Sequence, residues 1–225
     1  MEKFKFLGIG GALNIKFGGN SCYFKKDDNL VVIDPSEGAT LKLDKAGAFK
    51  NIKDAYIVIT HTHFDHIGGI GILIWYLKFV LKITPKVIYK TNKYKKTLET
   101  LFKVTEVKDA HYEFMKDSDF KLGDLRLELQ KTTHTDTLDC FGVMFSDNDG
   151  KYYYSGDTND IAYIKKLNED SSVKTIYCEV FSLESDAHIF YDDIKDFDKS
   201  KFVLMHFNSE ELYNKAKKDG FKTGM

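Results

Sequence analysis

The chain has 225 residues, 43% apolar and 30% charged, and its 33 Lys and Arg against 34 Asp and Glu give a formal net charge of −1. That is the composition of an ordinary soluble globule with ample material for a core, and it argues against a binder of long nucleic acid, which advertises its phosphate contacts as excess positive charge. Only two prolines occur, Pro35 and Pro85, and no Gly/Ser-rich or Pro-rich stretch separates two halves, so residues 1–225 are expected to form a single domain.

The first residues, Met1-Glu2-Lys3-Phe4-Lys5-Phe6, alternate polar and apolar as a strand does and lack the long apolar core of a secretory signal. Strands are predicted near 3–9, 21–25, 30–34 and 55–60, followed by a helix from 66 to about 82. Within it, the apolar stretch Ile70 to Leu81 is broken by Lys78, is too short to span a bilayer and reads as a buried helix. A strand at 86–90, a helix at about 92–104 and strands near 112–116, 125–131, 140–145 and 151–155 come next. The carboxyl third reads as helix, strand (174–180), helix, strand (201–205), helix. Runs of strands with interspersed helices imply two packed sheets with helices outside. Cys22, Cys140 and Cys178 are odd in number and form no CxxC pair, so they are expected to be reduced packing residues in a cytoplasmic protein. The lysines between Lys82 and Lys108 read as a solvated helix face.

The chemistry concentrates in Thr60-His61-Thr62-His63-Phe64-Asp65-His66, directly after the apolar run Ala55 to Ile59. Three imidazoles and a carboxylate within six positions suit zinc and similar first-row metals. Alternate residues of an extended chain point the same way, so His61, His63 and Asp65 are expected to share a face, with His66 pointing elsewhere. Gly68, Gly69 and Gly71 then let the backbone turn into the following helix. The cluster thus sits at the carboxyl end of a strand, where open α/β sheets place their ligands. His134, Asp157 and His206 also come at or just past the carboxyl end of apolar strands, and Asp34 closes the run Leu30 to Ile33.

With those residues in that order, the sequence resembles the metallo-β-lactamase fold superfamily of dinuclear hydrolases, and within it the phosphodiesterase branch of ribonuclease Z and related cyclic-nucleotide phosphodiesterases. Softer matches to the branch are Leu7-Gly8-Ile9-Gly10-Gly11, Asn20-Ser21-Cys22-Tyr23-Phe24, Val32-Ile33-Asp34 and Tyr154-Ser155-Gly156-Asp157-Thr158. The resemblance implies an αββα sandwich of two mixed sheets flanked by helices. It assigns His61, His63 and His134 to one metal ion and Asp65, His66 and His206 to a second, with Asp157 bridging two divalent cations about 3.5–4 Å apart. Zinc is the expected metal, with manganese or iron as alternatives. Asp65, His188 and Glu179 are the expected catalytic side chains, His188 as a proton donor or phosphate binder and Glu179 as its orienting acceptor. Asp34 is expected to be structural or to support the ligands from behind.

The expected reaction is hydrolysis of a nucleotide-type phosphodiester by metal-bound hydroxide, zinc lowering the pKa of water to about 7. Two departures from ribonuclease Z argue against a transfer-RNA precursor and favour a small or cyclic nucleotide. Only 22 residues, none of them proline, lie between His134 and Asp157, leaving no room for a flexible Gly/Pro-rich arm, and the chain is not basic. Asp157 stands where many β-lactamases of this fold carry a cysteine. Two rivals remain: a thioester or lactone hydrolase resembling glyoxalase II, and a non-catalytic protein stapled by metal. No membrane contact is expected, and a homodimer follows by resemblance alone.

Overall fold

Short β-branched and aromatic runs separated by turns generate the strands of the computed structural model, which describes residues 4–225. The first half of the chain supplies β1 (Lys5–Gly8), β2 (Ser21–Lys26), β3 (Asn29–Ile33), α1 (Ala39–Lys45), β4 (Asp54–Val58), α2 (Phe64–Ile67), α3 (Ile70–Trp75), β5 (Lys86–Tyr89), α4 (Asn92–Val104) and β6 (Glu113–Lys116). The second half supplies β7 (Lys121–Leu122), β8 (Leu125–Lys131), β9 (Phe141–Asp147), β10 (Gly150–Tyr154), α5 (Ile161–Glu169), β11 (Val173–Glu179), α6 (Tyr191–Ile194), β12 (Phe202–Met205), α7 (Glu210–Lys218) and β13 (Lys222–Thr223). The expected start of the first strand at residue 3 lies outside the described residues.

Strands β1 to β6 form one sheet in sequence order and β7 to β13 form the other. Both sheets are mixed. The pairs β1/β2 and β2/β3 are antiparallel and β3 to β6 are parallel; likewise β7 to β10 are antiparallel and β10 to β13 parallel. Aromatic rings lock the two inner faces together. Phe4 stacks on Tyr177 at 4.3 Å, and Phe24 and Tyr56 reach Phe145 and Phe120 edge-on at 5.4 and 5.2 Å, a geometry the ring quadrupole favours. Helix α4 packs on β5, α5 on β11 and α7 on β13, so helices lie outside the sheets in the αββα order.

Three local features differ from expectation. The helix predicted over 66–82 is two helices, α2 and α3, the latter continuing through a π turn at Tyr76–Val80. The break has a steric cause: Gly69 passes so close to the Pro35–Ser36 backbone that a Cβ would overlap the Ser36 carbonyl, and Gly69 N–H donates to Pro35 at 2.9 Å. Nor is the stretch wholly buried, since Ile72, Phe79 and Val80 are exposed while Leu73, Ile74 and Leu77 are buried, leaving one face to solvent. Helix α1 and the two-residue strands β7 and β13 were not expected; these elements are too short to carry a clear periodicity. No helix among the described residues is long and apolar enough to cross a membrane.

The parallel halves of both sheets end on one rim. Asp34 follows β3, His61 lies three residues past β4, Asp157 lies three residues past β10, Glu179 ends β11 and His206 follows β12. Backbone bonds stitch the sheets together there, from Phe141 N–H to the Thr60 carbonyl at 3.0 Å and from Phe207 N–H to the Ile9 carbonyl at 2.8 Å.

Candidate metal centre

Each candidate side chain reaches the rim because its strand stops there. His61 lies just past the end of β4, beyond a bend at Thr60, and His63 caps α2 with extended dihedrals. The helix begins at Phe64, so the strand-like alternation ends one residue before Asp65. Asp65 therefore leaves the face of His61 and His63 and joins His66, contrary to the expectation that Asp65 and His66 diverge. His206 adopts φ +58° and Asp34 φ +49°, left-handed bends that turn each side chain off its strand axis. Gly156, at φ +58°, lets the β10 exit pass against the Thr60 side chain, where a Cβ would overlap.

The result is two groups of donors. The ligand atoms of His61, His63, His134 and Asp157 lie within 4.8 Å of one another, as do those of Asp65, His66, Asp157 and His206, so Asp157 belongs to both groups. All seven residues named from the sequence converge. His61, His66, His134, Asp157 and His206 are buried; His63 and Asp65 are partly open to solvent.

The protons of the first group show what it lacks. His134 Nδ1 donates to the Ala187 carbonyl at 2.7 Å, which leaves Nε2 as a lone pair facing His63 Nδ1 at 3.2 Å. His61 Nε2 faces the same His63 nitrogen at 3.0 Å. One nitrogen carries at most one proton, so the three nitrogens cannot satisfy one another, whereas a cation accepts all three lone pairs. Burial, reinforced by the neighbouring histidines His66 and His134, pushes the His61 pKa down, and burial does the same to His63.

The second group is electrostatically opposite. His66 Nε2 lies 3.4 Å from Asp65 and 3.2 Å from Asp157; His206 Nε2 lies 3.3 Å from each. Burial resists a charge on His206, but Asp157, Asp65 and Glu179 outweigh it and raise its pKa to about 10. The same contest, between burial and the carboxylates Asp157 and Asp34, raises His66. Asp65 and Asp157 are lowered: burial opposes their charge, and the surrounding imidazoles override it. This pocket draws in positive charge, and a divalent ion answers that demand with the histidines neutral. His66 Nε2 and Asp157 Oδ1 are buried and face each other at 3.2 Å without the geometry of a formed hydrogen bond, an arrangement that a cation between them would satisfy. Both groups fit a metal ion.

Glu179 and His188 adjoin the second group. Glu179 is fully buried and accepts hydrogen bonds from Thr158 N–H at 2.7 Å and from His188 Nδ1–H at 3.0 Å. His188 Nε2 is thereby the free nitrogen. Burial lowers the pKa of His188 and the Glu179 bond raises it, with a net upward shift. A cleft of about 650 Å³ opens beside His188, lined in part by Asn159, Ser185 and the carboxylates Glu184, Asp186 and Asp193. A larger cleft of about 990 Å³ lies along α4 and a smaller one of about 580 Å³ along β8, neither lined by any of the seven donors.

Other expectations resolve simply. Cys22, Cys140 and Cys178 are buried free thiols. Lys86, Lys90, Lys93 and Lys95 pair with Asp54, Asp117, Asp139 and Glu99, so much of the basic run is internally balanced. His111 is partly exposed and packs on Phe79. Sequence reasoning missed Thr60 and Tyr154, whose hydroxyls meet Asp34 behind the histidines; Thr60 adjoins the motif, but nothing in the order of residues distinguishes it from Thr62.

Comparisons with known proteins identify the fold and the family. The crystal structure of the metallo-β-lactamase fold protein YhfI from Bacillus subtilis superposes with a TM-score of 0.77 at 14% identity, covering 98% of this chain and 94% of that one. A diphosphatase from the PhnP family gives 0.71 at 17% identity, covering 98% and 93%. The fold is therefore that of the metallo-β-lactamases. In sequence, the Anti-Pycsar protein Apyc1 of Bacillus phage 010DV004 is 26% identical over 239 residues, 93% of this chain and 91% of its own length. The family model for Anti-Pycsar protein Apyc1 matches residues 2–224, essentially end to end, and the chain belongs to that family.

Proposed function

We propose that the chain is a dinuclear-metal phosphodiesterase acting on a small nucleotide-type diester, a cyclic mononucleotide foremost. The observation that carries this reading is the pair of donor groups sharing Asp157, with the Glu179–His188 pair beside them. Family membership and the fold shared with a PhnP-family diphosphatase support a hydrolase of phosphate esters.

His61, His63, His134 and Asp157 would hold one cation and Asp65, His66, His206 and the same Asp157 the other, with zinc favoured by the nitrogen-rich donor set. Bound there, two cations supply an activated water and polarise the phosphoryl group. The protein's own residues do the rest. The expelled sugar oxygen is a poor leaving group and needs a proton. His188 holds one on Nε2 when charged, and Glu179 favours the charged form while fixing the ring through Nδ1. Glu184, Asp186 and Asp193 line the adjoining cleft, which is of the size that suits a single small ligand. Those exposed carboxylates weigh more heavily against a polyanion than against a single phosphate held by two cations, which favours a mononucleotide over a polynucleotide.

The deciding experiment offers the zinc-loaded protein 3′,5′-cyclic nucleotides, short single-stranded RNA, precursor transfer RNA and lactoylglutathione. Turnover of cyclic nucleotides well above the others is expected. Ready cleavage of lactoylglutathione with every diester left intact overturns the reading in favour of a thioester hydrolase.

A further inference from the structure

Three successive residues past the end of β10 reach three parts of the site. Asp157 is shared by the two donor groups, Thr158 N–H donates to Glu179 at 2.7 Å, and the Asn159 side chain reaches the loop that carries His188. Asn159 Nδ2 donates to the Asp186 carbonyl, and Asn159 Oδ1 accepts from the Thr133 hydroxyl. A carbonyl only accepts, so Asp186 takes the amide nitrogen and the Thr133 proton goes to the amide oxygen, which fixes the way the amide faces. Asn159 N–H also donates to the Thr133 carbonyl at 2.9 Å, so its backbone and side chain are braced by the same residue.

The loop from Phe181 to Phe190 depends on anchors outside itself. Its base is closed by Phe181 N–H to the Ile189 carbonyl at 2.8 Å and Tyr191 N–H to the Phe181 carbonyl at 3.0 Å, and Asn208 holds Ser182. Further along, Leu183, Glu184 and Asp186 are exposed. Two successive carbonyls there are held from outside, Asp186 by Asn159 and Ala187 by His134 Nδ1 at 2.7 Å. The second belongs to the peptide unit that leads into His188. The His188 ring stacks on Phe181 at 4.7 Å and 11° and on His206 at 5.3 Å and 23°. Stacking sets the plane of the ring, and the Glu179 bond sets the place of Nδ1. Neither prevents the ring from turning within its plane about that bond. Such a turn displaces Nε2, and the backbone of residues 186–188 resists it.

We infer that Asn159 is a positioning residue for His188: by pinning the Asp186 carbonyl it keeps His188 Nε2 at a fixed place relative to Asp157 and the two donor groups. The inference rests on the function proposed above, in which His188 protonates the leaving oxygen. Asn159 brings no charge and acts through the loop alone. A displacement of about 1 Å in a catalytic group can cost about 100-fold in rate, so a bond at a half-exposed residue matters to turnover far more than to stability.

The test compares the zinc-loaded parent with Asn159→Ala, Thr133→Val, His188→Gln and the double variant Asn159→Ala/His188→Gln. Substrates are a 3′,5′-cyclic nucleotide and bis(p-nitrophenyl) phosphate, and zinc content and amide hydrogen exchange over residues 182–190 are measured alongside. Asn159→Ala should lower kcat on the cyclic nucleotide by about 10–100-fold with KM within about threefold of the parent. The activated diester, which needs no acid, should stay within about threefold. Exchange over residues 182–190 should quicken while zinc content stays parental. In the His188→Gln background the Asn159→Ala change should add nothing, because groups that act through one another are not additive. Thr133→Val, which frees the amide to turn, should give the same pattern at smaller size.

The inference is overturned if Asn159→Ala keeps parental kcat on the cyclic nucleotide, leaves loop exchange unchanged, or loses zinc. It is equally overturned if KM alone rises, which would mean contact with the substrate itself, if both diesters suffer alike, or if the loss multiplies that of His188→Gln. A parent that cleaves no diester instead defeats the function proposed above, so the two failures are distinguishable.

Discussion

At the scale of single residues, the site divides into side chains that hold charge and groups that decide where protons sit. The seven donors form the first set, and Asp34, Thr60, Glu179 and the Ala187 carbonyl form the second. His188 belongs to neither: its Nε2 is free and its Nδ1 is bound to Glu179. Positioned general acids contribute about 10²–10⁴ in rate. His188→Gln is expected to lower kcat on a cyclic nucleotide by a factor in that range while leaving bis(p-nitrophenyl) phosphate, whose phenolate departs unaided, within about tenfold of the parent. Equal losses on both substrates would assign His188 to phosphate binding instead. His63→Ala, removing a nitrogen shared by two short contacts, is expected to abolish both activities; parental activity in that variant would favour a merely structural metal.

At the scale of elements, the site depends on how tightly the metal-motif turn packs under the loop after β3. Gly69 has no room for a side chain beside Pro35 and Ser36, whereas a Cβ on Gly71 would meet only Val107 at an ordinary 3.7 Å. Gly69→Ala is therefore expected to destabilise the protein by about 1–3 kcal/mol through overpacking, and Gly71→Ala to leave it unchanged or slightly better, since alanine favours a helix. Thermal unfolding of the two variants side by side checks this, and equal melting temperatures would refute the packing account. The same turn explains why the motif splits: α2 starts at Phe64 and rotates Asp65 and His66 together into the second donor group. An extended reading of the motif placed His61 and His63 correctly and misplaced Asp65, because the switch from period 2 to period 3.6 falls inside the motif.

Across the whole molecule, the centre joins the two sheets. His61, His63, Asp65 and His66 come from the first half of the chain; His134, Asp157 and His206 come from the second. Cations held between them would tie the halves together, since a ligand that binds only the folded state stabilises it by mass action, about 2.7 kcal/mol at a hundredfold excess over Kd. For a chain of this length that corresponds to a fall in Tm of about 5–10 °C on removal of metal with a chelator. A melting temperature indifferent to chelation and zinc return would contradict a site that spans the sheets.

Much of this protein could be read from residue order, because the informative signals are local. The apolar runs before His61, Asp157 and His206 mark strands whether or not their neighbours are known, and a box of three imidazoles and a carboxylate announces metal chemistry by donor type. The αββα fold and the metallo-β-lactamase superfamily follow from those residues and their order along nearly the entire chain. Other features depend on segments far apart in sequence meeting in space. Gly69 breaks the long helix because Ser36 lies against it, and α1, β7 and β13 exist through neighbours rather than through any pattern of their own. The Thr60 hydroxyl differs from that of Thr62 only in that Asp34, 26 positions earlier, meets it in the core. Local sequence encodes propensity and donor chemistry, but tautomers, shared ligands and steric breaks arise from contacts between distant segments, and these form only when the sheets close on each other.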